Sequence, residues 1–161
     1  MTVSQNFFDL RKALEGLKTE AYQDSAGIWT IGMGTTHYPN GTAVQEGDTC
    51  TEEEAINFAS HDTEHAETFV NNTLIVELNQ GQFDACVDFT YNAGVGAWQN
   101  STLRKLINAN PSDFDNITEN FEVWDKAHVD GQLVVVNGLL RRRKCEAYLY
   151  QNGVNHPTFF E

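Results

Sequence analysis

Apolar residues recur along this chain mostly at helical spacing, with one short stretch at strand spacing. Val3, Phe7, Leu10 and Leu14 fall on one helix face. Ser4 or Thr2 can cap that helix, and Gly16 can stop it. Ile28-Trp29-Thr30-Ile31 lies among Gly27, Gly32, Gly34 and Gly41, which predicts a small sheet of two or three strands within residues 20–40. Thr51-x-x-Glu54 is a capping box, and Ala55, Phe58, Ala59, Ala66, Phe69 and Val70 continue a helix to about residue 71.

Further helices are predicted over 80–93, broken by Gly94 and Gly96; from Ser101, with Leu103, Leu106 and Ile107 inward; and from Ser112, carrying Phe114, Ile117, Phe121 and Trp124. Residues 129–137 read as a hairpin around Asp130-Gly131, and a last helix runs from about Leu139 to Tyr150. The order is helix, small sheet, then helices, so the fold class is α+β and mostly α. We expect one domain over 1–161, with residues 1–70 holding the first helix, sheet and connecting helix, and 71–161 a helical lobe.

Charge changes this picture. The chain of 161 residues carries a formal charge of −13. Residues 19–103 hold 13 acidic side chains and no Lys or Arg, while the rest is balanced at 10 and 10. Nucleic acid and anionic membrane surfaces are poor partners for such a chain. No run approaches the length of a membrane span or forms a signal peptide, so a reducing cytoplasm is expected. Cys50, Cys86 and Cys145 show no metal or disulfide spacing, and buried free thiols are expected for the last two.

Three groups of residues could carry chemistry. Glu15, at the end of the first helix, is followed by Asp24 and Thr30 in the sheet region. Two carboxylates flanking a crease suit glycoside hydrolysis: one donates a proton to the leaving oxygen, and the other acts on water or on charge at the sugar carbon. His61-x-x-Glu64-His65 has the spacing of a zinc hydrolase helix, though it sits among Asp62 and Glu67 as a solvated face would. Arg141-Arg142-Arg143-Lys144 either pairs internally, as Arg142 with Glu146 at i, i+4, or meets an anionic substrate.

Eight residues lie between Glu15 and Asp24, and five between Asp24 and Thr30, within a run ending Ile31-Gly32-Met33-Gly34. With Phe89-Thr90-Tyr91-Asn92-Ala93-Gly94, Asn100-Ser101-Thr102-Leu103 and Gly138-Leu139 through Arg143 to Glu146, this resembles the phage-type lysozymes, the T4-like endolysins of glycoside hydrolase family 24. The resemblance implies a lysozyme-like fold of two lobes, a small sheet lobe and a helical lobe, with the cleft between them. It implies cleavage of the β-1,4 bond between N-acetylmuramic acid and N-acetylglucosamine, and no cofactor. By motif position Glu15 is the general acid, Asp24 with Thr30 holds the attacking water, and Tyr91, Asn92, Thr36 and Ser101 bind the sugar. Family members invert at the anomeric carbon, which suits carboxylates roughly 6.5–9.5 Å apart.

Thr35 stands where many members have a histidine, with His37 two residues later. The partner implied is the peptidoglycan glycan strand, met by a monomer. Delivery from the host cytoplasm to the wall would need a holin-like permeabilising protein, since the chain shows no membrane anchor. A non-hydrolytic peptidoglycan-binding module is the alternative. The acidic block should favour a protonated Glu15 and repel an anionic wall.

Overall fold

The computed structural model describes all 161 residues, which form two compact units: residues 11–65, and residues 1–10 with 66–161. Helix α1 (Gln5–Glu15) begins where predicted. The Ser4 hydroxyl accepts from the Asn6 N–H at 3.2 Å, and the Gly16 N–H closes the other end on Lys12.

In the unit of residues 11–65, β1 (Lys18–Gln23) pairs antiparallel with β2 (Trp29–Gly32), with Tyr22 opposite Thr30 and Gln23 opposite Trp29. The sheet has two strands; isolated bridges at Ile31–Thr35 and His37–Ala43 extend it into the following loop. That loop is tied down by Tyr38, whose hydroxyl donates to Asp48 at 2.8 Å and whose ring lies edge-on to Phe58. Helix α2 (Glu52–Thr73) opens with the predicted capping box: Thr51 and Glu54 exchange both bonds, at 2.8 and 3.1 Å.

In the other unit α3 (Gln80–Ala93) is central, and Gly81 through Thr90 are all buried. Gly81 is required there: a Cβ would stand 2.6 Å from the Cα of Gly153. Phe89 meets Trp98, Phe121 and Trp124, and the Arg143 guanidinium lies 5.0 Å over its ring. The predicted break at Gly94 and Gly96 is instead a short helix, α4 (Val95–Asn100), begun by Gly94 at φ +96. Helix α5 (Thr102–Ala109) is capped by Ser101. Helix α6 (Phe114–Glu122) starts two residues later than predicted and stops before Trp124.

The hairpin begins three residues earlier and ends two earlier than the predicted 129–137, as β3 (Lys126–Val129) with β4 (Gln132–Val135), but turns where the sequence says. Asp130 and Gly131, at φ +50 and +79, supply the left-handed pair such a turn demands. Helix α7 (Asn137–Asn152) ends at Gly153. No helix is long and apolar enough to cross a membrane. The three cysteines are free, with Cys86 and Cys145 buried.

The basic run on α7 faces inward. Arg142 holds the fully buried Asp88 through two hydrogen bonds of 2.8 Å, and Arg143 donates to Glu146 at 2.7 Å. The i, i+4 pairing of Arg142 with Glu146 is present at 3.6 Å. Contact with an anionic substrate, the other expectation for this run, is overturned for these two side chains. Each guanidinium buried here needs a carboxylate more than the surface needs a cation. Burial works to raise Asp88, but the Arg142 charge and its hydrogen bonds win and hold the carboxyl down at about 2. Burial pushes Glu146 well above the usual range despite Arg143, and Asp88 pushes it further.

Stability should therefore peak on the acid side of neutral. Burial also raises the carboxyls of Asp62 and Asp84, so with Glu146 three acids bind protons more tightly folded than unfolded. Such groups lose stability as pH rises above the unfolded carboxylate value of about 4. Asp88 works oppositely: its contribution is present above its unfolded value and is lost as pH falls towards about 2. Tm measured by calorimetry should be about 3 °C or more higher at pH 5 than at pH 8 and drop steeply below about pH 3. A Tm flat from pH 5 to pH 8 contradicts this.

Candidate active site

The predicted acid, Glu15, is the last residue of α1 and half-buried. Its Oε2 stands 3.7 Å from Nη2 of Arg11, one helical turn earlier, and Arg11 is fully buried. Gly34 stands against the same oxygen. A Cβ on Gly34 would lie 2.6 Å from Glu15 Oε2, and the residue sits at φ +100, so both space and backbone favour glycine.

Asp24 follows β1 in the tight connection to β2. Its Oδ1 accepts from the Ala26 N–H at 2.8 Å and the Ile28 N–H at 2.9 Å, while its backbone N–H donates to Ile28 at 3.0 Å. The carboxylate is thus fixed by the hairpin's own backbone. Thr30, 4% exposed, donates its hydroxyl proton to the Ile28 carbonyl at 3.0 Å, leaving its oxygen as an acceptor. Thr36 lies on the following loop, its hydroxyl 3.1 Å from His37 Nδ1.

One further side chain, which the sequence reading did not select, is linked to Glu15, Asp24 and Thr30. Tyr22 is the cross-strand partner of Thr30 and precedes Asp24 by two. Burial pushes its phenol up from the ordinary value, and the charges of Glu15 and Asp24 push it further. Strand alternation is the signal that could have found Tyr22; for Arg11 it is the i, i+4 spacing to Glu15.

The position that the Gly-x-Gly motif leaves to Thr35 is also built differently. Fully buried Thr35 donates to Asp62 at 2.6 Å, a neutral hydroxyl on a carboxylate. Asp62 belongs to the stretch read as a possible zinc motif. Its neighbours His61 and Glu64 point outward, 45% and 67% exposed and 3.7 Å apart. No group of three or more His, Cys, Asp or Glu side chains is placed to hold a metal ion.

The remaining predicted residues belong to the helical unit. Tyr91 is half-buried at the end of α3. Asn92 is exposed, and its Oδ1 accepts from Arg143 at 2.8 Å, so a buried cation orients the side chain. Ser101 is 2% exposed; its hydroxyl donates to Trp98 at 2.8 Å and accepts from the Arg104 N–H at 3.0 Å. Ser101 borders a cavity of about 500 Å³, and Asn92 borders another of about 260 Å³. Trp124 and Lys126 line both. Sequence reading had put Trp124 inside a helix, which hid its place at a surface.

Comparison with known proteins agrees with these features. The phage lysozyme family matches residues 12–146. The endolysin of Acyrthosiphon pisum secondary endosymbiont phage 1 is 36% identical over 94% of this chain and 99% of its own. The endolysin of Salmonella phage P22 is 33% identical over 93% and 98%. A solved endolysin from Escherichia coli O157:H7 phage FAHEc1 superposes with a TM-score of 0.90, at 40% identity and 97% coverage of each chain. The chain belongs to the phage lysozyme family, and with it to the glycoside hydrolases that degrade peptidoglycan in host lysis.

Proposed function

We propose that this enzyme cleaves the β-1,4 bond between N-acetylmuramic acid and N-acetylglucosamine, with Glu15 as general acid and Asp24, helped by Thr30, holding the water. Glu15 gives its proton to the glycosidic oxygen as the bond to the anomeric carbon breaks. The water gives its proton towards Asp24 as its oxygen attacks that carbon. What carries this reading is the hairpin that fixes Asp24 by two main-chain N–H groups and sets Thr30 opposite Tyr22, a phenol on which the charges of Glu15 and Asp24 both act. Asp24 suits its part because Oδ1 is anchored by two N–H groups, which leaves Oδ2 to a water.

Thr36, Tyr91, Asn92 and Ser101 are the sugar-binding residues of this proposal. Support for Asn92 and Ser101 comes from the cavities they border, where Trp124 offers a ring to a sugar face and Lys126 a donor. Delivery is the remaining part, and it rests on the sequence resemblance. The chain accumulates as a monomer in the host cytoplasm and reaches the wall when a holin-like protein permeabilises the membrane.

Glu15→Gln keeps the shape and removes the transferable proton. It should lower lysis of outer-membrane-permeabilised cells by at least about 100-fold, while the wild type releases reducing muramic acid ends from purified peptidoglycan. Lysis by Glu15→Gln at the wild-type rate, or reducing glucosamine ends, contradicts the assignment. Gly34→Ala should cost about 100-fold in kcat, because the added methyl displaces Oε2. Wild-type kcat for a folded Gly34→Ala would show that the acid need not stand where it does. The acidic block predicts that lysis climbs with added salt to moderate ionic strength, as screening weakens repulsion from the wall. A monotonic fall from low salt would refute it.

A further inference from the structure

Arg11 is the one guanidinium in the unit of residues 11–65. It is fully buried, and two parts of that unit beyond its own helix hold it. Nη1 donates to the α2 carbonyl of Ala59 at 3.3 Å and to the Thr63 hydroxyl at 3.2 Å. Nη2 donates to the Met33 carbonyl, beyond β2, at 2.6 Å. Thr63 is itself fixed, its hydroxyl donating to Ala59 at 2.5 Å. Such a side chain cannot swing away, so its 3.7 Å approach to Glu15 Oε2 is a fixed feature of the site.

The acidic surroundings read from the sequence are therefore incomplete. A cation stands beside the proposed acid, and the carboxylate of Asp62, held by Thr35, lies within electrostatic reach of both Arg11 and Glu15. Carbonyls and a hydroxyl engage the guanidinium from the α2 and β2 sides, and Glu15 is the carboxylate that balances its charge. The approach matters to chemistry. When Glu15 gives its proton to the glycosidic oxygen, a carboxylate charge develops on Oε1 and Oε2. A preorganised cation is worth most where charge appears only as the reaction proceeds.

We infer that Arg11 is a positioning residue of the reaction: it fixes the Glu15 carboxyl and stabilises the charge left when the proton departs. This rests on Glu15 being the acid. It acts in the transition state rather than on bound substrate, so it governs kcat and leaves KM alone.

The test measures kcat and KM on soluble glycan chains prepared from peptidoglycan, counting reducing ends, for variants whose folding is checked by circular dichroism and Tm. Arg11→Met removes the cation. Arg11→Met with Asp62→Asn removes cation and nearby carboxylate together, so that a folded neutral variant is available. Both should lose about 100-fold in kcat with KM within about twofold. Arg11→Lys keeps the charge without the planar fork and should lose about three- to tenfold in kcat at unchanged KM. Wild-type kcat in any of these variants when folded, or a loss carried by KM alone, overturns the inference. Glu15→Gln in the same assay separates the two claims. If it is inactive while the Arg11 variants match wild type, only the role of Arg11 falls. If it retains wild-type kcat, the acid assignment falls first.

Discussion

A guanidinium taken out of water needs acceptors and a compensating charge, and in each compact unit of this enzyme buried arginines draw separate elements together to supply them. In the unit of residues 11–65, Arg11 draws together the end of α1, the chain beyond β2 and a turn of α2. In the helical unit, Arg142 and Arg143 tie α7 to the buried acids and to the end of α3. Buried charge is an expensive way to hold helices, because apolar packing would do so with no desolvation cost. Its use beside Glu15 and beneath Asn92 puts rigidity where proposed functional side chains must keep their orientation.

The two proposed carboxylates are held by different physics. Asp24 is fixed by main-chain N–H groups of a tight connection, so its geometry follows from the backbone of four residues. Glu15 is positioned by a side chain and by the absence of one: Arg11 and Gly34 both stand against its Oε2. This asymmetry matches the work asked of them. A water-holding carboxylate needs a fixed direction. An acid that loses its proton in the reaction needs nearby positive charge and room.

Local rules in the sequence gave the elements whose stabilisation is itself local. The Thr51–Glu54 box, the Ser101 cap and the Asp130-Gly131 turn all appear where expected, because each is satisfied within a few residues. The first helix was read from Phe7 and Leu10, yet its face continues into Arg11, which no apolar pattern can reveal. The short helix after Gly94 was missed because two glycines read as a break, whereas Trp98 buries itself in that turn and holds it helical. Trp124 seemed to continue the apolar stripe of α6. Packing against Phe89 at 5.4 Å accounts for that apolar spacing without a helix. The spacing of Glu15, Asp24 and Thr30 was legible; Tyr22, opposite Thr30, became visible only once the strand register was known.

The account depends most on Glu15 and Asp24 acting together in one chemical step. A double-mutant cycle on kcat measures that directly, with Glu15→Gln, Asp24→Asn and the double variant assayed on one soluble glycan substrate. Groups that act as a unit are strongly non-additive, so the double variant should lose no more than about tenfold beyond the worse single. Losses that multiply would mean that the two carboxylates act independently, and the proposed acid–base pair would be wrong.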